Sequence, residues 1–574
     1  MEYFDLGRYT RAISTVSDEA QTWFDRGLRW TYGYNHEEAA ACFRKAIAAD
    51  PACGMAYWGL AYAIGPNYNK PWALFEPAEK AATLTEANAA LDTAQALPGL
   101  LPIETAMIRA LAARYPTDAD IEDFGPWNDT FTDAMRSVYE AHPDDLDAVA
   151  VFAEAGMNRT PWLLWNLTTR TPADGASTEE ARSALERAFA DAPGAWDHPG
   201  LLHLYIHLME MSPWPELALS HGDRLCDIVA DSGHLQHMAT HIDVLCGDYQ
   251  NVIARNQRAA VVDRMFEDYA GSANFYTLYR IHNVHFIAYG AMFMGRKSQA
   301  LAAAGALQHL LPVETVAFLP DFFEAFWGIR LHVMIRFGMW QEILDEPLPD
   351  DAELFSFTTA LQRYARTVAL ANLGRIAEAE AELDLFHPAR AAVQESRFMF
   401  NNPAESVLSI AEHMAAGELS YKSGHIDQGF DQLRQAVLAS DELLYDEPWG
   451  WMQPPRHALA ALLLDQGRHT DAEAIYRADL GLDDTLARAV QHPRNVWSLH
   501  GLDECLGIRG ETVERPHVHT QLALALARSE VQVRSSCYCR STPSNRLFIP
   551  VAARPVPAGE PREGSPLTLD KRQA

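Results

Sequence analysis

Apolar residues recur at three- and four-residue intervals through most of the chain, and no stretch alternates with the two-residue period of a half-buried strand. The clearest unit runs from Ala20 to Pro51. Its Trp23, Gly27, Trp30, Ala39, Phe43, Ala46 and Pro51 fall at the positions of a helix–turn–helix repeat. The small residues Gly27 and Ala39 let two helices cross closely. Trp23, Trp30 and Phe43 fill the space between them, and Pro51 stops the second helix.

Weaker units share one marker, a turn glycine followed five positions later by an apolar residue. It occurs at Gly247/Val252, Gly295/Ala300, Gly338/Ile343, Gly374/Ala379 and Gly467/Ala472, with Gly424/Gly429 a degenerate case. The irregular spacing predicts divergent hairpins with inserted loops: an all-α, tetratricopeptide-like solenoid over residues 1–540, with no sheet of three or more strands. Loops are expected at Gly65–Trp72, at Asp120–Asp129 and at Trp449–Pro455. Beyond about Glu530 the periodicity fades, and the Pro- and Arg-rich segment 541–574 reads as a disordered tail.

A length of 574 residues suits an extended array better than one compact core. The net charge of −31 opposes nucleic-acid binding. The first nine residues do not form a signal peptide, and no apolar run is long enough to span a membrane. A cytoplasmic protein is expected. The 7 scattered cysteines then read as reduced thiols, and the Asn-x-Thr triplets at Asn128, Asn158 and Asn166 as chance.

Histidine changes this picture. The chain has 22, and residues 198–241 hold His198, His203, His207, His221, His234, His237 and His241. An even spread would give about two in such a window. His203, His207 and Glu210 stand at i, i+4 and i+7, and His234, His237 and His241 at i, i+3 and i+7. Each trio therefore lies on one face of one helix. Ser212-Pro213-Trp214-Pro215 ends the first of these helices, and Asp231-Ser232-Gly233 starts the second.

If the two stripes face each other, five imidazoles and a carboxylate converge, a set suited to a transition metal. Glu210 is then a ligand or a general base. His282 and His285, one hairpin on, are candidate extra ligands or supporting contacts. So are His36 and the pair Cys537/Cys539, whose sulfurs could meet one soft ion. His36-Glu37-Glu38 otherwise reads as a helix start capped by Asn35. Tyr68, Trp72, Trp449 and Trp451 are candidate pocket walls.

The segments Tyr32-Gly33-Tyr34-Asn35-His36-Glu37-Glu38-Ala39, Gly65 to Trp72, His203-Leu204-Tyr205-Ile206-His207, Gly233 to His241 and Ser535 to Arg540 carry a resemblance. The chain resembles a family of large tetratricopeptide-repeat proteins of bacteria and fungi. That family usually has Pro-Ser where this chain has Ala239-Thr240. The resemblance implies the fold and an intact His motif, and assigns no activity.

Five imidazoles to one carboxylate favour redox chemistry on a small organic molecule, with copper preferred, then iron or zinc. A zinc-dependent hydrolase using Glu210 as base is one alternative. The other is a scaffold that binds a peptide or partner protein in a concave groove, with its histidines dispersed. No phosphate-binding loop or nucleophile elbow is present, and neither nucleic acid nor membrane is an expected partner.

Overall fold

Ser17 and Asn35 start the first two helices as N-caps. Ser17 Oγ accepts the Ala20 N–H at 3.2 Å, and Asn35 Oδ1 accepts that of Glu38 at 3.4 Å. The computed structural model describes residues 3–116, 123–272 and 274–540. Helices α1 (Asp18–Tyr32), α2 (His36–Ala49) and α3 (Gly54–Ile64) pack successively. The ring of Phe43 is fully buried between α1 and α3 and lies against Gly27 and Gly59. A methyl group built on Gly27 would come within 2.8 Å of that ring, so the close crossing needs the missing side chain. Burying a ring of this size contributes roughly 1.5–3 kcal/mol.

The array continues through α4 (Pro77–Ala96), α5 (Pro102–Ala112), α6 (Gly125–Ala141), α7 (Leu146–Met157) and α8 (Thr178–Asp191). It then runs through α9 (Pro199–Glu210), α10 (Leu219–Ile228), α11 (Gly233–Leu245), α12 (Tyr249–Ala270) and α13 (Thr277–Phe293). Further hairpins follow to Leu526. Among the described residues the named strands form only two-residue pairs, Trp165–Asn166 with Thr171–Pro172 and Phe398–Met399 with Asn402–Pro403. The fold is an all-α, tetratricopeptide-like solenoid.

The turn markers have a common geometry. Gly247, Gly295, Gly338, Gly374, Gly424 and Gly467 all have φ between 63° and 87°. The residue after each turn donates its N–H to the carbonyl five positions back, as Asp248 does to Asp243. The residue five positions after each glycine is buried.

Two expectations change. Asp120–Asp129 is not a loop throughout, because Pro126 suits the first turn of a helix that starts at Gly125; residues 120–122 lie outside the described residues, as does the tail 541–574. Cys537 and Cys539 are not reduced thiols. Their side chains meet across a tight turn as a disulfide, while the other five cysteines are free.

The array also closes on itself. Asp231 N–H donates to Asp5 O at 2.8 Å, Trp497 Nε1 to Met292 O at 2.8 Å, and Glu530 N–H to Gly295 O at 3.1 Å. No helix among the described residues is long and apolar enough to cross a membrane.

Candidate metal centre

Helix α9 carries His203 and His207 one turn apart, and it packs beside α11, which carries His234, His237 and His241. Helix α13 packs on α11 and adds His282. The sequence grouped the histidines by helix, whereas the structure regroups them across helices. His203, His207 and His234 form one trio; His237, His241 and His282 form the other. Within each, one nitrogen from every ring lies within 4.8 Å of the others. The reason is the rise of α11. His234 stands one turn before His237 and level with His203, while His241, two turns further on, lies level with Glu210 and beside His282.

Four of the six imidazoles have Nδ1 committed to an oxygen. His203 donates to Tyr32 O at 2.6 Å and His207 to Glu210 Oε1 at 3.0 Å. His237 donates to Asn256 Oδ1 at 2.6 Å and His241 to Glu210 Oε2 at 2.8 Å. A neutral ring so fixed presents Nε2 as a lone pair. Only in the His237/His241 pair are both Nδ1 atoms committed; His234 Nδ1 has no partner, so its Nε2 can donate to His203 Nε2. Nε2 of His237 and His241 are 2.7 Å apart, and those of His203 and His234 are 3.2 Å apart. Nε2 of His207 and Nδ1 of His234 and His282 are buried without a partner. Two nitrogens bound to one ion at about 2.0–2.1 Å stand about 3 Å from each other, so the donor set fits metal ions, one per trio.

The electrostatics separate the rings. Burial holds His203 down to about 3. Burial first, and neighbouring imidazoles second, hold His207, His234, His237 and His282 well below the ordinary histidine value. All five are thus neutral, as ligation requires. Burial opposes charge on His241 too, but the Glu447 and Glu210 carboxylates outweigh it and raise that ring to about 10. A proton on its Nε2 is then shared with His237. Glu210 is pushed well above the usual carboxylate range by burial and by Glu447.

Glu210 sits between the trios and accepts an N–H from each, and with His207 and His241 it forms a third possible ligand group. Glu447 contacts the same His241 Nδ1 from the loop that precedes Trp449. No spacing signal in the sequence pointed to Glu447 or Asn256. Tyr34 covers the first trio, with ring centroids 4.4 Å from His203, 5.8 Å from His207 and 5.7 Å from His234. Its φ is 53°, and it stands five residues before Ala39. It therefore occupies the turn position that is glycine in the marked hairpins, a departure readable in the sequence. Tyr279 packs on His234 at 4.3 Å, and Phe286 stacks on His241 at 5.4 Å.

Several candidates stay outside the centre. His285 is buried, with Nε2 2.8 Å from Met452 Sδ and its ring against Phe400. His36 donates Nδ1–H to Ala63 O at 2.7 Å and touches Tyr34, but no trio ring. Cys537 and Cys539 lie by Glu418 and, as a disulfide, offer no thiolate. Tyr68 reaches His207 at 5.0 Å. Trp72 packs instead among Phe75, Tyr115 and Trp127, Trp449 bonds Ser440 O, and Trp451 packs on His332 and Tyr364. His198 caps α9 and meets Asp147, while His221 sits among Phe189, Trp196 and Tyr205.

Neither a family model nor a curated protein matches the chain. Solved structures similar to it include the Cut9–Hcn1 hetero-tetramer of the APC/C, at 12% identity over 91% of this chain and 95% of that one, with a TM-score of 0.28. Human IFIT1, as a dimer with m7Gppp-AAAA, is 11% identical over 90% and 92%, with a TM-score of 0.30. The TPR domain of P58(IPK) is 11% identical over 86% and 99%, with a TM-score of 0.20. The repeat architecture is established by the chain's own hairpins, whose common turn geometry makes it a tetratricopeptide-type helical solenoid.

Proposed function

We propose that the chain is a metal-dependent oxidoreductase acting on a small organic molecule, with one ion held by His203, His207 and His234 and a second by His237, His241 and His282. The observation that carries this reading is the meeting of His237 Nε2 and His241 Nε2, whose Nδ1 atoms are already committed, close to the buried and unpartnered His207 Nε2, His234 Nδ1 and His282 Nδ1. Such an arrangement is costly when buried unless a cation sits between the rings. A set of six imidazoles favours copper, for which nitrogen sites have the highest affinity. Copper supplies one-electron redox chemistry. The residues of this chain fix the tautomers of His203, His207, His237 and His241, exclude water and keep the trios adjacent.

The zinc-hydrolase alternative would take Glu210 or Glu447 as its base; both Glu210 oxygens are engaged by imidazole N–H groups, and Glu447 Oε2 contacts the same His241 Nδ1. The peptide-scaffold alternative expects dispersed histidines, and these are gathered and mostly buried. The test is metal analysis of tag-free protein, followed by oxygen uptake with phenols, amines and amino acids after loading with copper, iron or zinc. Two ions per chain and turnover with copper or iron are expected. No bound metal under any loading condition removes the reading, and activity with zinc alone replaces it with hydrolysis.

A further inference from the structure

A cleft of about 330 Å³ opens beside the first trio, bounded by α2, the loop after α3, α4 and the segment before α13. Tyr34 lines it, and the same ring covers His203, His207 and His234. We propose that this cleft is the substrate pocket of the histidine centre and takes a neutral hydroxyl-bearing aromatic molecule, a phenol. The link to the centre rests on the oxidoreductase reading; the binding claim does not.

Three consecutive residues supply the recognition groups. Tyr34 and Asn35 are 4% and 2% exposed, yet Tyr34 OH and Asn35 Nδ2 have no partner, and neither has the buried His36 Nε2. His36 gives its Nδ1–H to Ala63 O, so Nε2 is an acceptor, while Asn35 Nδ2 is a donor. A hydroxyl is the smallest group that satisfies a donor and an acceptor together. Burial pushes His36 down to about 4, so it stays neutral and gives an anion nothing to bind.

The charged groups at the rim are already engaged. Lys70 pairs with Glu79 and Arg44 with Glu86, while Glu37 holds the Phe275 N–H. The surplus carboxylate disfavours an acid. Phe75 and Phe275 give the cleft apolar walls, which suit the body of an aromatic ring.

The experiment uses metal-free full-length protein and measures binding of 4-methylphenol, toluene and 4-methylbenzoate by equilibrium dialysis. 4-Methylphenol is expected to bind at least tenfold more tightly than either of the others. Ala82 lines the cleft from the exposed face of α4, so Ala82→Trp fills it without touching the core and is expected to abolish binding. His36→Leu is expected to weaken binding at least tenfold, with a circular-dichroism spectrum to confirm folding. Equal binding of toluene, unchanged binding in folded Ala82→Trp protein, or no binding of 4-methylphenol overturns the proposal. Because no metal is present, these outcomes are independent of whether the trios hold ions.

Discussion

His237 Nε2 and His241 Nε2 lie 2.7 Å apart, while the Nδ1 of each ring donates to an oxygen of another residue. One cation must lie between them, and a proton and a metal ion compete for that place. The two trios share no ring, so their ions should be lost separately. His203→Ala should remove one ion per chain and His282→Ala the other, measured by plasma mass spectrometry after dialysis. Loss of all metal from either single variant would show that the trios form one indivisible site.

Glu210 holds His207 through one oxygen and His241 through the other, whereas Asn256 holds only His237. Supports of this kind typically change metal affinity 10–100-fold. Glu210→Gln keeps one acceptor and turns the other into an N–H donor facing an N–H. It should weaken both sites, while Asn256→Leu should weaken only the second. Chelator competition on each variant separates the two outcomes, and an effect of Glu210→Gln on one site alone would contradict the bridging role.

The repeat was legible because its physics is local. A turn glycine and a buried residue five positions on mark six of the later hairpins, and Gly27 and Phe43 reveal the first crossing. The histidine stripes were legible by the same helical periodicity. Their division into trios was not, since it depends on where α13 packs relative to α11. Glu447 was hidden because it reaches His241 from a loop 206 residues away, a proximity set only by the closing of the coil. Nor does local spacing distinguish Tyr68, which reaches the centre, from Trp72, which packs in the core four residues later.

The first crossing also gives a packing test. Gly59 lies against the Phe43 ring from α3, even closer than Gly27 does from α1. Gly59→Ala should cost about 1–3 kcal/mol or more through overpacking, despite the better helix propensity of alanine. Trimming the ring with Phe43→Leu in the same chain should recover part of that loss. Urea denaturation of the two single variants and the double variant measures the coupling. Strict additivity would show that the ring and the glycine do not meet.

Glu154, on α7, provides the pH test. Tyr62 OH donates to one of its oxygens, and the other is buried without a partner. Burial pushes its carboxyl from the ordinary 4.5 up to about 8. The folded chain therefore keeps this proton over a range in which the unfolded chain has released it. Its contribution to stability is fully present below pH 4.5, declines as pH rises through that window, and levels off above about 8. Glu154→Gln retains a neutral side chain of the same size and cannot titrate. Wild type and variant should differ little at pH 5. At pH 9 the variant should be more stable by something on the order of 3–5 kcal/mol, the worth of a shift of this size. Urea unfolding at the two pH values measures the difference, in which other titrating groups cancel. A variant advantage that is the same at both pH values would mean that Glu154 is ionised in the folded chain throughout, with a cation beside it that its surroundings do not contain.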